Sequence, residues 1–196
     1  CYKSSLVLEN TLLANNRNLP AASSAPYGFI FGPGVYCGTI YMGGYSNINV
    51  TSSTIADNIN QGQSFTIPGS SYYGGVPGDV TINIKYGAIY HNFRGTVTIT
   101  NSILTNNGIR NENNEYLTAE DFFARSNTSP VFSYSDTKSL EYGMGCNGDM
   151  VTITGEGLIH EDPEFIDAAN YDYNIADTSP CRGTGLNGAD MGAKFE

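Results

Sequence analysis

Apolar and polar residues alternate in two ungapped stretches of equal length, GTIYMGGYSNINVTSSTIADN from Gly38 to Asn58 and GAIYHNFRGTVTITNSILTNN from Gly87 to Asn107. Ile48 and Val50 in the first copy match Val97 and Ile99 in the second, and after a short polar break Ile55 matches Leu104. A period of two over so few residues predicts short β-strands. A third, shorter copy, SSLVLENTLLANN, opens the chain and brings Leu6, Leu8 and Leu13 into the same apolar columns. The copies end in NN, DN and NN, so Asn16, Asn58 and Asn107 share one column and Thr11, Ser53 and Ser102 another.

Two or three short strands cannot bury an apolar face alone, so a repeated unit predicts coils stacked in register, with strands about 4.8 Å apart. The expected domain spans 1–196, with coils near 1–16, 35–58, 80–107 and 131–175 and a C-terminal cap over 176–196. Asn16, Asn58 and Asn107 are expected to form a structural ladder, their amides bonding along the stack. Asp57, in line with Asn15 and Asn106, is expected at an outward bend.

Three long segments, RNLPAASSAPYGFIFGPG, NQGQSFTIPGSSYYGGVPGD and GIRNENNEYLTAEDFFARSNTSP, follow the same point of successive coils. Insertions at one corner of a solenoid build a single lateral face, where binding is expected. Within the third, LTAEDFFAR from Leu117 to Arg125 reads as a short helix, with Thr118 as its cap and acidic residues in its first turn. Tyr72 and Tyr73 in the second segment and Tyr116 in the third are the candidate ligand-binding residues, joined by Tyr27, Phe29, Phe122 and Phe123. Such rings suit sugar faces and protein surfaces, and equally suit pinning a long loop to its scaffold.

The GxIY opening of the two long copies and the S-x-I-x-x-N-like close of the repeats resemble the right-handed parallel β-helix repeats of bacterial surface and secreted proteins, including choice-of-anchor and polymorphic outer-membrane types. The C-terminal third, SPVFSYSD and then GEGLIHEDPEFIDAANYDYNIADTSPCRGTGLNGADMGA, resembles the closing segment of those proteins. The matching positions are Asp162, Pro163 and Phe165, then Asp172, Tyr173 and Ile175, then Ser179, Pro180 and Cys181, and finally Asp190 with Gly192. The departures are the long loops and the stretch from Asp136 to Thr152. The resemblance implies an all-β fold, a right-handed parallel β-helix with long loops on one face, and an extracellular or cell-surface location. It names no single function, since adhesins, anchored proteins, tailspikes and polysaccharide-degrading enzymes share the fold. The first copy begins at Leu6 without a preceding cap, so the chain is expected to be the C-terminal part of a longer β-helix or to have that end covered by a loop or another subunit.

Charge narrows the partners. Nineteen acidic residues against nine basic ones give a net charge of −10, which argues against nucleic acid and anionic membranes. No apolar run approaches a membrane span, so no insertion is expected. Cys1, Cys37, Cys146 and Cys181 lack the spacing of a zinc site, and no metal site is expected among them. The reading is one or two disulfides, with Cys146–Cys181 the preferred pair and Cys1–Cys37 its companion, though the count of four allows three pairings.

Catalytic candidates are few. Sugar hydrolysis needs convergent carboxylates, and Glu161, Asp162, Glu164 and Asp167 read instead as turn and cap residues. A lyase needs a base beside cationic groups, and the candidates are Lys85, His91 and Arg94, whose counterparts one copy earlier are Tyr36, Met42 and Tyr45. No cofactor is expected; calcium held by loop oxygens is the one left open. The expected function is a non-catalytic module for adhesion, recognition or assembly that meets a glycan or a surface protein. The alternatives are a lyase-type polysaccharide-degrading enzyme and a self-associating subunit that stacks through open coil ends.

Overall fold

The computed structural model describes residues 3–18, 39–61, 64–70, 78–83, 88–92, 94–110, 116–118, 121–125, 130–144 and 149–195. Strand is their main regular structure, helix being limited among the described residues to the short 3-10 turns Ala168–Asn170 and Leu186–Gly188. A first pass of the chain gives β1 (Ser5–Glu9), β2 (Leu12–Ala14) and β3 (Arg17–Asn18). The second gives β4 (Ile40–Met42), β5 (Asn47–Thr51), β6 (Thr54–Ala56) and β7 (Ile59–Gln61), then a hairpin of β8 (Ser64–Ser70) and β9 (Gly78–Asn83). The third gives β10 (Ile89–Asn92), β11 (Val97–Thr100), β12 (Ile103–Thr105) and β13 (Gly108–Arg110), then β14 (Tyr116–Thr118). Next come β15 (Phe122–Arg125), β16 (Pro130–Ser133) and β17 (Asp136–Thr137), followed by β18 (Glu141–Met144), β19 (Asp149–Thr152), β20 (Phe165–Asp167) and β21 (Asp172–Ile175).

Equivalent strands lie side by side. Sheet A runs β1-β5-β11-β16, sheet B β2-β6-β12-β17, sheet C β3-β7-β13-β14 and sheet D β4-β10-β15-β18-β19. Pairing between passes is parallel, and only β14 and β19 join these sheets antiparallel. The second and third passes each visit the sheets in the order D, A, B, C. Register follows the sequence columns: Leu6 beside Ile48 beside Val97, Leu8 beside Val50 beside Ile99, and Leu13 beside Ile55 beside Leu104. These residues, with Ile40, Ile89, Phe122 and Phe132, make the main apolar core, where parallel strands place like beside like.

The bends explain why the polar columns exist. Between sheets A and B the chain turns in two residues, the first left-handed: Asn10 (φ 44), Ser52 (φ 46), Asn101 (φ 51) and Tyr134 (φ 47). The second, Thr11, Ser53, Ser102 or Ser135, uses its hydroxyl to donate to the carbonyl two residues back, at 2.8 to 2.9 Å. Each of these hydroxyls from Ser53 onward also accepts the backbone N–H of the preceding pass, from Thr11, Ser53 and Ser102 in turn. Between sheets B and C the left-handed residues are Asn15, Asp57 and Asn106, types that tolerate this conformation.

Sheet B is covered on both faces. Ile55 and Leu104 face the main core, while Ile103 on the other side packs with Cys181 and Met191 in a second cluster. The C-terminal segment lies across the passes here: Gly192 N–H donates to Asn101 O, Ala193 N–H to Thr54 Oγ1 and Lys194 N–H to Asn10 Oδ1. A side chain at Gly192 (φ +87) would strike Ile103 and Thr54, so the segment fits only without one.

Two expectations are corrected. The segment Leu117–Arg125 is not a helix: β14 ends at Thr118 and β15 begins at Phe122, paired in parallel with Ile89 to Asn92. Phe122 joins the main core and Phe123 points the other way, an alternation a helix cannot supply, so sheet pairing overrides the local signals. The Cys146–Cys181 pair is not formed. Cys181 is a buried free thiol whose Sγ lies 3.5 Å from Asp136 Oδ2, whereas Cys1, Cys37 and Cys146 lie outside the described residues.

Candidate functional site

As far as β17, length variation is confined to one corner. The A-to-B and B-to-C connections are two residues each wherever they recur, and D to A takes four residues in all three instances. The C-to-D connection instead runs from 19 to 39, from 62 to 88 and from 111 to 121, and carries the β8–β9 hairpin and β14. All three long segments therefore leave from sheet C and return to sheet D.

One sheet before this corner, the B-to-C bend carries a column of amides that ends on Asp121, and sheet D beyond the corner carries a stack of rings. Asn16 Nδ2 donates to Asn58 Oδ1, Asn58 Nδ2 to Asn107 Oδ1 and Asn107 Nδ2 to Asp121 Oδ1, each at 2.8 Å. Asp121, immediately before β15, is buried, and it also accepts the Ser139 N–H while its own N–H donates to Ser139 Oγ. Burial raises its carboxyl pKa to about 6 against these hydrogen bonds. On sheet D, Tyr41, Tyr90 and Phe123 stack with centroids 5.4 Å apart, on the side opposite core residues Ile40, Ile89 and Phe122. Tyr90 and Phe123 are buried even there, so that side of sheet D is covered.

A second buried carboxyl, Asp136 in β17, accepts the Glu161 N–H and the Cys181 thiol. Burial raises it to about 6 as well, and burial beside Asp136 pushes the Cys181 thiol up. Tyr173 OH donates to Asp57 Oδ2 at 2.8 Å and accepts from Asn15 Nδ2 at 2.6 Å, so the Asp57 bend meets the C-terminal segment. Burial raises the Tyr173 phenol, reinforced by Asp57.

The lyase candidates are not gathered. His91 stands on the core side of β10, level with Met42 and Ala124, fully buried, with Nε2 donating to Ser46 O at 2.8 Å and Nδ1 without a partner. Arg94 is in an exposed turn with its guanidinium 5.8 Å from the Tyr45 ring centre, and Lys85 lies outside the described residues. A base for proton abstraction must reach its substrate, and the His91 ring has no solvent-facing edge.

Of the binding candidates, Tyr72 and Tyr73 lie between β8 and β9, outside the described residues, as do Tyr27 and Phe29. Tyr116 opens β14, paired with Arg110. Phe122 is taken up by the core, edge-on to Phe132 and Tyr142. Among the described residues no group of three or more His, Cys, Asp and Glu side chains is placed to hold a metal ion.

Sequence reasoning missed Asp121, Asp136 and Tyr173 as network residues. The one available signal was the amide column itself, which must end on an acceptor. Comparison of the chain with protein-family models, curated proteins and solved structures finds no match.

Proposed function

We propose that this chain is a right-handed parallel β-helix acting as a non-catalytic recognition module at or outside the cell surface, with its ligand held at the C-to-D corner. The observation that carries this is that, as far as β17, the long insertions all fall at that corner while the other connections keep their length. A scaffold under packing constraint fixes its bends, and a surface selected for binding varies. Right-handedness follows from the strong preference of parallel crossover connections.

The ligand class is a neutral glycan. Tyr72, Tyr73 and Tyr116 belong to this corner and offer flat faces with polar tips. A net charge of −10 disfavours polyanionic chains. The test is binding to a panel of neutral and acidic polysaccharides by the parent chain and by Tyr72→Ala/Tyr73→Ala and Tyr116→Ala variants. Saturable binding to a neutral glycan, weakened about tenfold or more by the variants at unchanged melting temperature, supports the proposal. Polysaccharide cleavage, or binding indifferent to all three tyrosines, overturns it.

A further inference from the structure

Among the described residues, strands β1, β2 and β3 are edge strands, paired on one side only, with the second pass. We propose that their other side is an interaction surface for one further parallel coil of the same repeat, bearing serine or threonine and asparagine at the two polar columns, and not for a second copy of this chain. The proposal shares the parallel-coil architecture with the reading above, but not its ligand or its corner.

The polar columns have a direction. Thr11 N–H donates to Ser53 Oγ, Ser53 N–H to Ser102 Oγ and Ser102 N–H to Ser135 Oγ, each from an earlier pass to a later one. The asparagine column runs the same way, since the backbone N–H and Nδ2 of Asn16 both reach Asn58 Oδ1, and those of Asn58 both reach Asn107 Oδ1. The second amide hydrogen points back, from Asn58 to Leu13 O and from Asn107 to Ile55 O, both at 2.8 Å. Asn16 has no earlier pass to reach among the described residues, and its second hydrogen turns onto Ala14 O of its own bend at 3.4 Å. No donor among the described residues reaches Asn16 Oδ1 or Thr11 Oγ1. The edge therefore presents two oxygen acceptors and one diverted amide hydrogen, spaced as between any two internal passes.

Apolar burial falls off in step. Leu6, Leu8 and Leu13 are half-buried, whereas Ile48, Val50 and Ile55 beside them are at most 1 % exposed. A coil with apolar residues at the same positions would complete the core over these leucines.

A second copy does not match this edge. Head to head, two such edges set acceptor against acceptor and force the strands antiparallel. Head to tail, the far end is already occupied: Tyr134 N–H donates to Glu156 O and Ile159 N–H to Ser135 O, along the outer side of the fourth pass. The asparagine column ends there on buried Asp121, whose carboxylate has no N–H to offer.

The test is a fusion in which a copy of residues 39–61 precedes Lys3 through a flexible linker, compared with the parent chain. Asn47, Thr54 and Ile59 N–H groups donate to the preceding pass, at Ser4 O, Thr11 O and Asn16 O, and their first-pass equivalents are Ser5, Leu12 and Arg17. The expected result is a monomeric fusion in which the Ser5, Leu12 and Arg17 amides exchange with solvent about tenfold or more slowly than in the parent. Asn58→Leu made only in the added copy should remove most of that protection. Unchanged exchange at these three amides in a fusion with the parent's circular-dichroism spectrum overturns the proposal. So does a concentration-dependent dimer of the parent that Leu8→Asp dissolves. Failure of glycan binding leaves the exchange result standing, so the two readings fall separately.

Discussion

Asn107 Nδ2 donates to Asp121 Oδ1 at 2.8 Å, ending a column of amides on a buried carboxyl. Asn58, in the middle, donates to Asn107 and accepts from Asn16, but the last amide must donate to a group that needs no further acceptor. A carboxyl meets that requirement at the cost of burying a charge, which is why its pKa rises to about 6.

Asp121 therefore makes stability depend on pH. Its folded-state value lies above the ordinary 3.8, so between about pH 4 and 6 the folded chain binds more protons than the unfolded one. The sign is that its contribution favours folding as pH falls from 7 toward 4. Relative to Asp121→Asn, the parent should gain about 2 kcal/mol between pH 7 and pH 4.5. Urea unfolding of both proteins at the two pH values measures this, and parallel profiles would refute it.

Removing the middle of the ladder should hurt more than removing its edge. Asn58→Leu takes the acceptor from the backbone N–H and Nδ2 of Asn16 and the donor from the Leu13 carbonyl, and leaves buried Asn107 Oδ1 with one donor, the residue-58 N–H, in place of two. The expected loss is on the order of 3 kcal/mol or more, against about 1 kcal/mol for Asn16→Leu at the exposed edge. Chemical denaturation of the two variants gives the comparison.

The Cys181 thiol should be inert in the folded chain. It is buried against Ile103 and Met191, and its pKa is raised by burial and by Asp136, so thiolate is scarce. Peptide mapping after maleimide treatment at pH 8 should find Cys181 unlabelled without denaturant and fully labelled in it. Rapid native labelling would show that the C-terminal segment lifts from sheet B.

Tyr173→Phe removes one hydroxyl that joins the C-terminal segment to Asp57 and Asn15. The ring still packs edge-on against Phe165, so the loss is confined to hydrogen bonding and should be about 1 to 2 kcal/mol. Limited proteolysis should then release peptides beyond Tyr173 sooner than in the parent. An unchanged digestion pattern would mean that Asn10, Thr54 and Asn101, which bond Lys194, Ala193 and Gly192, hold the segment without the Tyr173 hydroxyl.

The asparagine column was legible because three aligned copies repeat it at fixed distance from the apolar pairs Ile48 and Val50, Val97 and Ile99. Asp121 was not, because the insertion after Arg110 breaks the spacing. Inside LTAEDFFAR the acid reads as the first turn of a helix, and only pairing of Phe122 beside Ile89 shows that a strand begins there. Cys181 misled for a related reason, since cysteine count and composition carry no information about which side chains meet.

Strand period, parallel register, the points of insertion and the polar residues at the bends were all legible in the repeated copies. These are local or repeat from copy to copy, so they survive as pattern. Only the folded chain shows that the C-terminal segment crosses sheet B and that Tyr173 meets Asp57 across 116 residues. Those contacts join positions that share no period, and their partners are chosen by which buried donors and acceptors would otherwise go unpaired.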